Sequence, residues 1–169
     1  DSQVLLVTTD RDMIERVDAQ VEVQISVLER KETALKALGN SKIIYFDKEA
    51  DALAFTNFYG AEHLIVCLKN EDEFVNQIKH AGSVFIGNYT PESAGDYASG
   101  TNHTLPTNGY VRQYSGVNLD SFLKAITYQK ITAQGLQDLG PVIEEMATAE
   151  GLQAHKNAVS VRLKMLDNE

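Results

Sequence analysis

Glu62 and His63 are adjacent, Asp96 follows a glycine in a stretch of small polar residues, and Glu150 and His155 flank Gly151. Carboxylates and imidazoles are ligand types that Zn²⁺ takes. A glutamate beside a histidine can also divide proton-transfer work between two bases of different strength. On one unbroken helix Glu150 and His155 would point about 140° apart, from 3.6 residues per turn. Gly151 interrupts the run and lets both face one site. Each of these residues also has a plainer reading. Asp96 after Gly95 fits simple turn chemistry, a Glu-His dipeptide is common, and a lone helical histidine such as His155 is more often surface or satisfied core than ligand. His80 reads as a cation at a helix C-terminus. No spacing matches a local zinc signature such as HExxH, and neither GxGxxG nor a P-loop occurs.

The elements that must position these residues are legible from hydrophobic period. Val4–Thr8 is an apolar, β-branched run, as expected of a strand covered on both faces. Thr9 or Asp10 then caps a helix through Met13, Ile14, Val17, Val21, Ile25 and Leu28 that continues to Leu38, with Gly39-Asn40 as its stop. Further strands are expected at Ile43–Phe46, Leu64–Leu68 and Ser83–Ile86. Helices are expected at Ala50–Tyr59, capped by Asp47 and ended by Gly60, and at Glu71–His80. Strands alternating with helices predict βαβ units: an α/β fold with a mostly parallel sheet flanked by helices.

After Ile86 the alternation stops for about thirty residues, a length at which loops are usually functional or disordered. "GDYASGTNHTLPTNGY" at 95–110 has the period of neither helix nor strand. Beyond Asn118 the pattern turns helical, over Leu119–Ala125, Thr132–Ala149 and Leu152–Leu163, with Thr132 as an N-cap and a strand-like Thr127–Ile131 between the first two. The chain thus divides into an α/β part, 1–117, and a C-terminal helical appendage, 118–169. Ligands of open α/β sheets bind beyond the carboxyl ends of the strands. That places the long loop at one rim, whereas Glu62-His63, entering the third strand, points to the opposite one.

Composition bounds the partners. With 43% hydrophobic and 23% charged residues, the 169-residue chain is of ordinary globular type. Fifteen cations against 24 carboxylates leave a net charge of −9. That disfavours nucleic acid or an anionic membrane as the main partner, since both need clustered Lys and Arg. Leu64–Leu68 is far short of the roughly 18 apolar residues of a membrane span. Cys67, the single cysteine, lies in that run and cannot form an internal disulfide, so a reducing cytoplasmic compartment fits best. A chain that begins at Asp1 and runs almost at once into a core strand reads as part of something longer.

Three segments carry a closer likeness: "YGAEHLIV" (59–66), "AGSVFIGNYTPESAGDYASGTNHTLPTNGY" (81–110) and "AEGLQAHKNAVSVRL" (149–163). Together they resemble the C-terminal part of histidinol dehydrogenase, and the likeness runs from Asp1 to Leu163. The resemblance implies a zinc-dependent, NAD-linked homodimer that oxidises L-histidinol through the aldehyde to L-histidine, on an incomplete Rossmann-like fold. It implies that His63 is the general base for the alcohol proton and also contacts substrate. Glu62 would activate the water that hydrates the aldehyde. Asp96 and His155 would bind both zinc and substrate, and Glu150 would bind substrate, with His155 and Glu150 completing the partner subunit's site. His103 is outside the family's ligand set and is read as organising the loop by hydrogen bonds.

Two departures accompany the likeness. The family's other two zinc ligands, a Gln and a His in a Q-x-x-H segment, belong upstream of Asp1, as do its NAD-contacting residues, so no cofactor-binding residue is expected in this chain. Ala61 stands where proline is usual, which loosens the approach to the strand. Residues 1–169 alone are therefore expected to be inactive. Two other readings are a non-catalytic α/β interaction or regulatory module, and a generic metal-dependent hydrolase.

Overall fold

The computed structural model describes residues 2–167. The chain forms two compact units, Asp1–Leu123 and Lys124–Glu169. The first alternates strand and helix: β1 (Leu5–Thr8), α1 (Arg11–Ser26), α2 (Lys31–Asn40), β2 (Lys42–Tyr45), α3 (Glu49–Tyr59), β3 (Ala61–Val66), α4 (Glu71–Val75), β4 (Ala81–Ile86) and α5 (Glu92–Tyr97). Every strand pairing is parallel, as the βαβ pattern predicts. Among the described residues the four strands form two separate pairs, β1 with β2 and β3 with β4, in place of one continuous sheet.

Local chemistry accounts for most boundaries. Asp10 accepts a hydrogen bond from the Asp12 backbone N–H at 3.0 Å, the cap expected at the start of α1. Gly60 ends α3 in the left-handed region at φ 64°. A Cβ there would also stand 2.8 Å from Val111 Cγ2. Asp47 does not cap α3. Lys48 holds that position without a side-chain bond, and Asp47 faces Arg11 across 3.8 Å in an exposed pair.

Several expected elements differ. The single helix to Leu38 is two helices, because the chain leaves helical geometry between Ser26 and Lys31. The Val27 N–H falls back on the Gln24 carbonyl and the Leu28 N–H on the Ile25 carbonyl as α1 ends. The break turns α2 back beside α1, so that Met13, Val17, Val21 and Ile25 share a groove with Ala34 and Leu38. A continuous helix would hold the two apolar stripes apart. The helix expected over Glu71–His80 stops at Val75, so His80 is not a C-terminal cation but the residue before β4. The third strand starts three residues early and ends at Val66, leaving Cys67 exposed.

The buried residues of this unit are Ala52 and Thr56 on α3, Val66, Phe74, Phe85 and Val111, together with Gly60 and Gly95. Phe46 and Tyr59 flank Phe55, with ring centroids 5.6 and 6.0 Å from it. Leu119–Phe122, expected as a helix to Ala125, is a single 3₁₀ turn capped by Asn118, and residues 123–132 carry no regular structure. The strand-like Thr127–Ile131 thus forms no strand.

The second unit is a helical hairpin of α6 (Ala133–Ala149) and α7 (Gln153–Leu166). Thr132 Oγ1 accepts from the Gly135 N–H at 3.1 Å, the N-cap its sequence predicts. Gly140 faces Leu163 so closely that a Cβ would lie 2.8 Å from Leu163 Cδ1. The Ser160 hydroxyl hydrogen-bonds the Glu144 carboxylate across the same seam. Gly151, at φ 71°, makes the turn between the helices. No helix among the described residues is long and apolar enough to cross a membrane.

Candidate functional site

The site in the first unit is built on β3 and β4. Their parallel register sets His63 beside Ser83 and Ile65 beside Phe85. Residues two apart on a strand share a face, so His63 and Phe85 lie on one side of the pair, ring centroids 6.0 Å apart. The pleat sends the neighbouring Glu62 side chain to the other side.

The chain then doubles back over the His63 face. Gly87 follows β4 at φ 82°, a conformation suited to glycine. Thr90 Oγ1 donates to the Ile86 carbonyl at 2.6 Å and steadies the turn. Pro91 is extended at the start of α5, where its missing N–H costs nothing. Helix α5 lies directly on Phe85, and only a glycine permits that approach. A Cβ at Gly95 would be 2.8 Å from Phe85 Cε1 and 3.0 Å from Cζ. Thr101 Oγ1 closes the helix end, donating to the Gly95 carbonyl at 3.3 Å.

This path resolves the conflict between opposite sheet rims. The segment after β4 does not stay at the carboxyl edge but crosses the face of the strand pair to His63. Glu92 and Asp96, one helical turn apart, come down on the imidazole together. The ligand atoms of His63, Glu92 and Asp96 all lie within 4.8 Å of one another. His63 Nε2 is 3.4 Å from Glu92 Oε1, and this buried nitrogen has no hydrogen-bond partner among the described residues. One imidazole nitrogen and two carboxylates, each half-buried, form a donor set suited to a divalent cation or to a cationic, hydroxyl-bearing substrate.

Of the residues singled out by type and spacing, His63 and Asp96 meet here, and Asp96 is helical, not part of a turn. Glu62 is half-buried and outside the donor set. Glu150 caps the C-terminus of α6 and His155 is in the first turn of α7, both exposed, in the second unit. His103 is exposed and makes none of the hydrogen bonds that organise its loop. Asn102 Oδ1, accepting from the Thr104 N–H at 2.7 Å, does that work. Glu92 was not singled out. Its one signal is the four-residue spacing from Asp96 behind Pro91, which becomes visible once a helix is placed there.

Gly95→Ala tests this architecture. Alanine in a helix gains about 0.5–1 kcal/mol over glycine, but overpacking against a closed core costs typically 1–3 kcal/mol. Phe85 is only 5% exposed and has little room to yield. We expect net destabilisation of about 1–2 kcal/mol in denaturant unfolding of the protein, with α5 displaced from Phe85. An unchanged or raised midpoint would contradict this packing.

The sequence profile of the histidinol dehydrogenase family matches residues 1–163. Histidinol dehydrogenase of Bacteroides thetaiotaomicron is 55% identical over 166 residues, covering 98% of this chain and 39% of that protein. The chloroplastic histidinol dehydrogenase of Oryza sativa subsp. japonica is 49% identical over 168 residues, covering 99% of this chain and 36% of its own length. The crystal structure of histidinol dehydrogenase from Elizabethkingia anophelis superimposes with a TM-score of 0.95 at 56% identity, over 98% of this chain and 38% of that one. The chain therefore spans under two fifths of the length of these relatives. With that extent of match and identity, the chain belongs to the histidinol dehydrogenase family.

Proposed function

We propose that the full-length protein carrying this chain oxidises L-histidinol through L-histidinaldehyde to L-histidine with zinc and NAD, and that this chain supplies part of its reaction site. The observation that carries the reading is the meeting of His63 and Asp96 on one face of the β3–β4 pair, within a stretch that matches the family throughout.

The site fits a zinc ion: the donor types are right, and a buried imidazole nitrogen with no hydrogen-bond partner among the described residues stands beside two carboxylates. When bound, zinc would hold the substrate's nitrogen atoms and orient its alcohol. In this reading Asp96 is a zinc ligand, and His155 is a zinc ligand given to the partner subunit's site. Asp96, His155, His63 and Glu150 also hold substrate. His63 takes the hydroxyl proton while the carbinol carbon gives its hydride to NAD⁺, whose binding residues lie elsewhere in the full-length protein. Glu62 takes a proton from the water that adds to the aldehyde, ahead of the second hydride transfer.

In this reading residues 1–117 are the catalytic part of an incomplete Rossmann-like domain. Residues 118–169 are a helical appendage that dimerises and completes the partner's site, in a cytoplasmic homodimer. Purified residues 1–169 should then fail to reduce NAD⁺ with histidinol, while the full-length protein does so. Turnover by 1–169 alone would overturn this division of labour. An intact protein inert toward histidinol would overturn the reading itself.

A further inference from the structure

Glu92 has no part in the roles given above, yet it is the carboxylate that covers the base. Its Oε1 is 3.4 Å from His63 Nε2, an ion-pair distance without hydrogen-bond geometry, and that nitrogen is shielded from solvent and has no hydrogen-bond partner among the described residues. Phe85 of β4 lies beside the imidazole, with ring centroids 6.0 Å apart and 35° between the planes, and it packs under Gly95 of the helix that carries Glu92. The ring therefore has an aromatic neighbour from β4 and a carboxylate neighbour from α5. A histidine that moves protons depends on what holds its ring, because an imidazole with no fixed partner samples orientations and tautomers unproductive for transfer.

We propose that Glu92 is a positioning residue for His63: its carboxylate fixes the imidazole in the orientation from which it takes the substrate's hydroxyl proton. This rests on the assignment of His63 as the base. It differs from a ligand role for Glu92, which the spacing of the donor set alone would also allow.

The test uses the full-length protein and its Glu92→Gln and Glu92→Asp variants, read by steady-state kinetics with histidinol and NAD⁺, bound zinc per subunit, and ¹⁵N chemical shifts of labelled histidine, with His63→Asn used to assign the His63 signals. Orienting partners of functional histidines are typically worth about 10- to 100-fold. Glu92→Gln should lower kcat by that factor with KM for histidinol within about twofold and zinc content unchanged, and Glu92→Asp should recover part of the loss. The His63 nitrogen shifts should move in Glu92→Gln without substrate present, which tests the contact even if the protein proves inert toward histidinol. Unchanged kcat with unchanged His63 shifts would overturn the proposal. Loss of zinc in Glu92→Gln would make Glu92 a ligand, and a rise in KM alone would make it a substrate contact. Either outcome overturns the positioning role.

Discussion

Full-length protein carrying His63→Asn is expected to lose between about 10² and 10⁴ in kcat for histidinol oxidation, the range typical of a positioned general base. Asparagine retains polarity and roughly the reach of Nδ1 but cannot accept a proton and become a cation. The fold should tolerate the change. His63 Nε2 has no hydrogen-bond partner among the described residues, and its apolar neighbour Phe85 is packed independently against Gly95. The effect should therefore fall on kcat, with KM and the unfolding midpoint nearly unmoved. Measuring zinc alongside kinetics separates two roles, because His63 Nε2 also lies in the donor set. Zinc retained with kcat lost identifies a base. Zinc lost identifies a ligand, and the assignment of His63 to proton transfer would then be withdrawn.

Asp96→Asn should have the second large effect, on metal. The substitution is isosteric and removes one negative charge and a strong oxygen donor. Loss of a partner outside the coordination sphere costs metal affinity about 10- to 100-fold, so loss of a direct ligand should cost at least 100-fold. Competition against a chelator should show this as release of zinc at concentrations that leave the parent protein loaded, and oxidation of histidinol should fall with it. Asp96 makes no side-chain hydrogen bond among the described residues, and α5 is held instead through Gly95 on Phe85 and through Thr101. The apoprotein's unfolding midpoint should thus stay within about 0.5 kcal/mol of the parent's, as for a substitution away from packed features. Retention of zinc at parental affinity would remove Asp96 from the ligand set.

The elements that the sequence locates well are those whose cause is local. The β-branched run at Val4–Thr8, the alternation through β4, the caps at Asp10 and Thr132 and the stop at Gly60 each depend on a few neighbouring residues. The misplaced elements are those whose cause is distant. From Met13 to Leu38 the apolar spacing runs on without glycine or proline at the break, yet the chain divides there and sets α1 and α2 along a shared groove. Thr127–Ile131 has strand composition, but a strand exists only where another strand supplies hydrogen-bond partners, and none does so here.

The candidate site divides along the same line. The sequence by itself determined the residue types, the parallel α/β character and, through its likeness over 1–163, the family. It also drew attention to His63 and Asp96 separately. Only the tertiary structure decided that their ligand atoms come within 4.8 Å of one another and that Glu92 joins them. A six-residue helix is too short to show a period and is marginal alone. Helix α5 exists because Gly87 reverses the chain and Gly95 lets it settle on Phe85, and those contacts join residues far apart in sequence.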